Sequence, residues 1–275
     1  MSISEEGLRD TYAVLQELFE GMGSTLVAFS GGIDSTLVLK VAFDTLGARA
    51  KAVTATSPTF PAIELAAVHQ LSAEIGTTLQ IVETDQLAID AFVQNDTMRC
   101  FHCKTDLYQL LGKLKKDVEA NVIVDGTNMD DLKEDRPGII AARALGVRSP
   151  LVEAGLGKSE IRALAKSLGL SNWDKPAAAC LSSRVPRGIH ITRAGLSRIE
   201  QAEALLFKEG FKQVRVRDYE GVARIETEES EFHLLQDDER RHRLVKEIKE
   251  LGFQFVTLDL SGYQSGSTND TKKTT

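Results

Sequence analysis

The chain has 275 residues, 42% of them hydrophobic and 27% charged, a balance that suits a globular protein with a substantial core. Its net charge of -7 argues against a general affinity for nucleic acid, and no apolar run reaches the ~20 residues needed to span a bilayer. The N-terminus lacks a basic-then-apolar signal pattern and three cysteines are an odd set for a secreted disulfide framework, so a cytoplasmic location is expected.

Residues 5–21 carry Leu8, Tyr12, Leu15, Leu18 and Phe19 at three- and four-residue steps, which predicts an amphipathic helix. The apolar run Leu26-Val27-Ala28-Phe29 reads as a buried strand broken at Ser30-Gly31-Gly32, and helical spacing resumes at Thr36 and runs to Gly47. Strand, glycine turn and helix make a phosphate seat. Glycine lets the backbone come close to a ligand, and a helix N-terminus presents unpaired N–H groups and partial positive charge.

Ala50–Ala55 alternates like a strand, 62–75 is helical, Leu79–Val82 is a third strand and Gln86–Val93 is again helical. Lys104–Leu114 places Leu107, Leu110, Leu111 and Leu114 on one helix face and leads into the strand Val122-Ile123-Val124. This alternation predicts an α/β fold: a parallel sheet covered by helices on both faces, with ligands beyond the C-terminal strand ends. The glycine turn, Thr54–Ser57 and Asp125-Gly126-Thr127-Asn128 all fall at such ends and are expected to share a crevice.

Asp130–Gly138 is a charged loop in which Pro137 marks a helix start, and Lys158–Leu168 is a further helix ended by Gly169. Asn172–His190 has no period and is punctuated by Pro176, Pro186 and Gly188; a loop of that length is usually functional. Beyond it the order becomes helix (Leu196–Glu209), strand (Gln213–Asp218), strand (Val222–Glu226), helix (Asp237–Leu251), strand (Phe253–Leu258). The expected organisation is a domain over 1–190, a small α+β domain over 191–264 and a polar, disordered tail over 265–275.

Cys100 and Cys103 form a C-x-x-C pair, and Cys180 lies on the long loop. Three thiolates suit zinc or an iron–sulfur cluster, with His102 as a candidate fourth ligand; a redox disulfide or plain structural thiols are the alternatives. Arg215 and Arg217 alternate with Val214 and Val216, so both project from one face of a strand and are candidates to clamp a phosphate with Ser183 or Arg184.

Ser30-Gly31-Gly32-Ile33-Asp34-Ser35 has no lysine after its second glycine, unlike the loop of kinases and GTPases, and resembles the PP-loop of the ATP pyrophosphatases. That resemblance implies cleavage of ATP between its α and β phosphates. Ser30, Gly31, Gly32, Ser35 and Thr36 would hold pyrophosphate, Asp34 would stand near Mg²⁺, and Asp125, Gly126 and Asn128 would join the nucleotide site.

With Arg99–Lys104, Arg136-Pro137-Gly138, Cys180–Arg184 and Val214–Arg217 added, nearly the whole chain resembles the LarE sulfur transferases. The resemblance implies adenylylation of a carboxylate on a pyridinium biscarboxylate mononucleotide and its conversion to a thiocarboxylate, a step toward the nickel-pincer nucleotide of lactate racemase. It also implies roles for Cys180, Asp34 and Glu203 in the chemistry. For sulfur supply the resemblance implies one of two versions: a sacrificed loop cysteine, or a four-iron four-sulfur cluster on three cysteines. Cys100, Cys103 and Cys180 favour the cluster. Aligned on Asn172-Trp173 and Ser182-Ser183-Arg184, the sacrificed cysteine would fall at Ala179, one residue before Cys180. ATP and Mg²⁺ are the other expected cofactors. Expected partners are a small nucleotide substrate and a sulfur-donor protein or sulfide, in a homo-oligomer with no membrane. The rivals are a PP-loop tRNA thiolase, which the acidic balance disfavours, and a nucleotide-binding sensor without turnover.

Overall fold

The computed structural model describes residues 4–133, 136–176 and 179–264; the expected tail over 265–275 lies outside them. In chain order the elements are α1 (Glu5–Met22), β1 (Thr25–Ala28), α2 (Ile33–Leu46), β2 (Ala50–Thr56), α3 (Ala62–Ile75), β3 (Leu79–Glu83) and the short α4 (Asp90–Val93). Then follow α5 (Arg99–Asp117), β4 (Val122–Val124), α6 (Pro137–Ala144), α7 (Pro150–Glu153), α8 (Lys158–Ser167), α9 (Arg193–Lys208), β5 (Val214–Tyr219), β6 (Val222–Thr227), α10 (Asp238–Glu250) and β7 (Phe255–Leu258). Among the described residues no helix is long and apolar enough to cross a membrane.

The chain divides into two compact units, Met1–Asp85 with Cys100–Ala178, and Gln86–Arg99 with Ala179–Thr275. The division thus falls at 178/179 instead of the expected 190/191, and the second unit also takes a segment from the middle of the first. Asn95 is the physical reason. Fully buried with φ 56°, it donates through Nδ2 to the carbonyls of Val185 (3.2 Å), Pro186 (2.7 Å) and Ile189 (2.9 Å). The expected helix over Gln86–Val93 is here a 3-10 turn, Gln86–Ala88, followed by α4.

In the first unit four parallel strands run in the order β3-β2-β1-β4. Successive residues of β1 enter different cores. Val27 packs in a cluster with Phe19, Leu37, Val41, Leu151, Ile161 and Leu164, whereas Leu26 packs with Val53, Tyr108, Leu111, Ile123 and Ala142. Both faces of the strand are therefore covered, which explains why it reads as an unbroken apolar run. The chain moves outward from β1 to β3 and then returns to β4, so the order reverses between β1 and β4. The glycine turn after β1 and the Asp125 turn after β4 lie at that switch point, where such sheets receive ligands.

The second unit has a three-stranded sheet in the order β5-β6-β7, with β6 antiparallel to β5 and parallel to β7. Helices α9 and α10 accompany it, as the small α+β reading of the C-terminal sequence requires. Glu220 and Gly221, at φ 51° and 100°, form a two-residue hairpin turn that pins the register of β5 and β6, including Arg215 opposite Glu226.

Candidate functional site

The glycine turn after β1, the candidate phosphate seat, is built by turning carbonyls inward. Gly31 adopts φ 72°, and Gly32 in extended geometry precedes α2, which among the described residues has no side-chain cap. The Gly32 carbonyl accepts from Ser35 Oγ (3.1 Å) and Thr36 Oγ1 (2.8 Å), and Asn172 Nδ2 donates to the Gly31 carbonyl (3.2 Å) and to Thr36 Oγ1 (2.9 Å). Ser35 Oγ also accepts from the Ser30 N–H (3.2 Å) and meets Ser30 Oγ at 3.1 Å. Uncapped first-turn N–H groups beside a glycine turn are what an anion requires. Thr36 is fully buried and its hydroxyl serves the turn itself, so it braces the seat from beneath.

The turn after β4 is pressed against this seat. A Cβ at Gly126 would lie 2.7 Å from the Ser35 nitrogen and 3.0 Å from the Asp34 carbonyl carbon, so only glycine lets the two turns meet. Asp125, buried, accepts from Tyr108 Oη (3.0 Å), Thr127 N–H (3.1 Å), Thr127 Oγ1 (2.9 Å) and Ser149 Oγ (2.7 Å). Burial pushes the Tyr108 phenol up and Asp125 adds to the effect, against an opposing influence of Lys104, so the phenol stays a neutral donor. Asn128 is buried, accepts from the N–H groups of Asp130 and Asp131, and has no partner for its Nδ2 among the described residues. Asp34 is half-buried at the start of α2, where both its oxygens meet Lys158 Nζ, at 2.7 and 2.6 Å.

The second unit holds a separate cluster. Cys180 precedes the 3-10 turn Leu181–Arg184, with Sγ 2.9 Å from Ser182 Oγ. Although Cys180 is exposed by area, surrounding protein is the largest influence on its thiol and pushes it up. The guanidiniums of Arg99 and Arg184, the Ser182 hydroxyl and the Ser183 N–H outweigh it, and the net shift is downward, toward thiolate. Arg99, 5% exposed, donates to Asn95 Oδ1 (2.6 Å) and the Ser182 carbonyl (2.8 Å).

Arg184 and Glu203 form a buried pair, Nε to Oε1 at 2.9 Å and Nη2 to Oε2 at 3.0 Å, and Oε1 also accepts from the Val216 N–H (3.0 Å). Arg217 pairs with the fully buried Glu226 and donates to the Ser183 carbonyl at 3.0 Å. Arg215 lies 5.4 Å from the Tyr263 ring; burial and then the charge of Arg184 hold its guanidinium below the usual range, opposed by Glu203 and Tyr263. Arg184, Arg215 and Arg217 thus lie near enough to feel one another's charge, with Glu203 and Glu226 among their partners.

No family model matches the chain. It is 43% identical over 255 residues to an uncharacterised protein of Synechocystis, covering 93% of this chain and 95% of that protein. It is 38% identical over 263 residues, 94% of each chain, to the pyridinium-3,5-bisthiocarboxylic acid mononucleotide synthase of Lactiplantibacillus plantarum. The chain belongs to the LarE family. A further relative, an uncharacterised protein of Methanocaldococcus jannaschii, is 31% identical over 252 residues, 91% of this chain and 94% of that one.

In this LarE-family chain Ser30, Gly31, Gly32, Asp34, Ser35, Thr36, Asp125 and Gly126 gather in the first unit, and Cys180, Ser183, Arg184, Glu203, Arg215 and Arg217 in the second. Cys100 and Cys103 stand one turn apart on α5, both half-buried, so they belong to a helix where the sequence pattern starts one only at Lys104. Among the described residues no three His, Cys, Asp or Glu side chains are grouped to hold a metal ion. Asp34 does offer carboxylate oxygens of the kind Mg²⁺ takes. Residues not anticipated as parts of the sites are Lys158, Asn172, Tyr108, Arg99, Glu226 and Tyr263. Of these only Lys158 carried a local signal, a lysine in the first turn of a helix, the end that disfavours cations.

Proposed function

We propose that this LarE-family chain is an ATP-dependent sulfur transferase acting on a pyridinium biscarboxylate mononucleotide, in synthesis of a nickel-pincer nucleotide. The observation that carries the reading is the near full-length match to a synthase whose name specifies a bisthiocarboxylic mononucleotide. A carboxylate oxygen of the substrate attacks the α-phosphorus of ATP, the bond to the β-phosphate oxygen breaks, and pyrophosphate leaves into the uncapped N–H groups of the Gly31-Gly32 turn. The resulting acyl adenylate has a good leaving group. A sulfur nucleophile then attacks the acyl carbon, the bond to AMP breaks, and a thioacyl product forms. Mg²⁺, with Asp34 among its ligands, would neutralise phosphate charge when bound.

Arg215, Arg217 and Arg184 with Ser183 would receive the substrate phosphate through charge-assisted hydrogen bonds. Glu203, with both oxygens engaged, acts by holding Arg184 and the Val216 N–H in place. Cys180, biased toward thiolate, is the protein's own candidate nucleophile. If it attacks, loss of its Cα proton and cleavage of its Cβ–S bond would release the thiocarboxylate and leave dehydroalanine. A four-iron four-sulfur cluster, where sulfur is supplied that way, would be held by Cys100, Cys103 and Cys180.

Pyrophosphate released only when the mononucleotide is added tests the adenylylation and excludes a passive sensor. Iron and acid-labile sulfide on anaerobically purified protein, with a Cys100→Ala variant, separates the sulfur sources. About four irons per chain, lost in the variant, supports a cluster. Iron-free protein that loses roughly 34 Da after turnover supports sacrifice of Cys180.

A further inference from the structure

The ammonium of Lys158 comes to the glycine turn from 124 residues away and contacts both oxygens of Asp34. Three features aim it there. The Lys158 N–H donates to Asp130 Oδ2 at 2.7 Å, and the Gly157 N–H donates to Glu160 Oε2 at 3.1 Å, which together fix the start of α8. A Cβ at Gly157 would approach Asp130 Oδ2 to 3.0 Å and Glu160 Oε2 to 3.1 Å, so a side chain there would crowd both carboxylates. Finally, Lys158 occupies the first turn of its helix, where the macrodipole opposes a cation, so the placement needs a compensating anion.

Asp34 supplies that anion, and the first turns of α2 and α8 meet at the pair. The lysine and the carboxylate keep 37% and 23% of their side-chain surface exposed, so solvent reaches the pair and its rupture costs little. A triphosphate entering the adjacent N–H groups would bring several negative charges close to Asp34. Without a neighbouring cation that approach is repulsive.

We infer that Lys158 is a phosphate-binding residue of the ATP site: it neutralises Asp34 while the seat is empty and transfers its ammonium to the β- and γ-phosphate oxygens when ATP fills it. The inference rests on the ATP-dependent reading above. It assigns to a residue outside the glycine loop the part that the missing loop lysine plays in other phosphate seats.

The test compares affinities for Mg·ATP, AMP and adenosine by calorimetry in the parent, Lys158→Met and Lys158→Arg chains. Expected is a fall of about tenfold or more in the preference for ATP over AMP in Lys158→Met, with adenosine binding unchanged and Lys158→Arg close to the parent. An unchanged ATP-to-AMP ratio in Lys158→Met would overturn the inference, as would equal weakening of all three ligands, which marks a structural ion pair. A parent chain that binds no ATP would instead bring down the adenylylation reading, and this inference with it.

Discussion

Substituting Gly126 by alanine adds one carbon at the closest approach between the two turns of the proposed nucleotide seat. That carbon would stand 2.7 Å from the Ser35 nitrogen, and ordinary contact begins at 3.4 Å, so 3.4 − 2.7 = 0.7 Å of separation must be found. Neither side yields easily. Ser35 is 4% exposed within the first turn of α2, and Asp125, next to Gly126, is held by four hydrogen bonds. Overpacking of this kind costs about 1–3 kcal/mol of stability. The larger consequence is positional: movement of the first-turn N–H groups by most of an ångström would cut reaction with ATP by something approaching 10²-fold. The assay is substrate-dependent pyrophosphate release together with urea unfolding. Gly112→Ala is the control, since a Cβ there meets nothing within 4 Å on α5, and it should stabilise by about 0.5–1 kcal/mol. Parent-like pyrophosphate release and stability in Gly126→Ala would refute the account of the seat.

Glu203→Ala strips Arg184, 3% exposed, of its carboxylate and should destabilise the chain by about 3–5 kcal/mol in urea unfolding. Glu203→Gln, which still accepts from the Val216 N–H, should lose less, and equal losses would contradict the ion-pair reading. In iron-free protein, alkylation of Cys180 should persist to lower pH than that of an ordinary thiol, and Arg99→Gln should move the profile upward; an unmoved profile rules out Arg99 as a cause. The sign follows from linkage. Because the folded-state value is depressed, the associated stability is present above the unfolded thiol value and is lost as pH falls through the folded one.

What could be read from residues alone was whatever has a local physical cause. The doubly covered strands β1 and β4 announce themselves as apolar runs, α1 by its three- and four-residue steps, and the turn from β1 to α2 by its glycines. Partnerships among charges have no such cause. That Arg184 meets Glu203, that Arg217 meets Glu226, and that Lys158 meets Asp34 depends on how distant segments are brought together by the cores. Asn95 shows the same limit for domain boundaries: a buried side chain with three carbonyl acceptors draws the segment around it into the second unit, and nothing in the local pattern of Gln86–Arg99 marks this. These partnerships set the charge balance of the second unit, since Glu203 and Glu226 each hold a buried arginine in place. Arg215 is the sharper case. Its alternation with Arg217 was legible, but only packing buries its guanidinium and brings Arg184 near, and these two influences, burial first, hold it below the usual range.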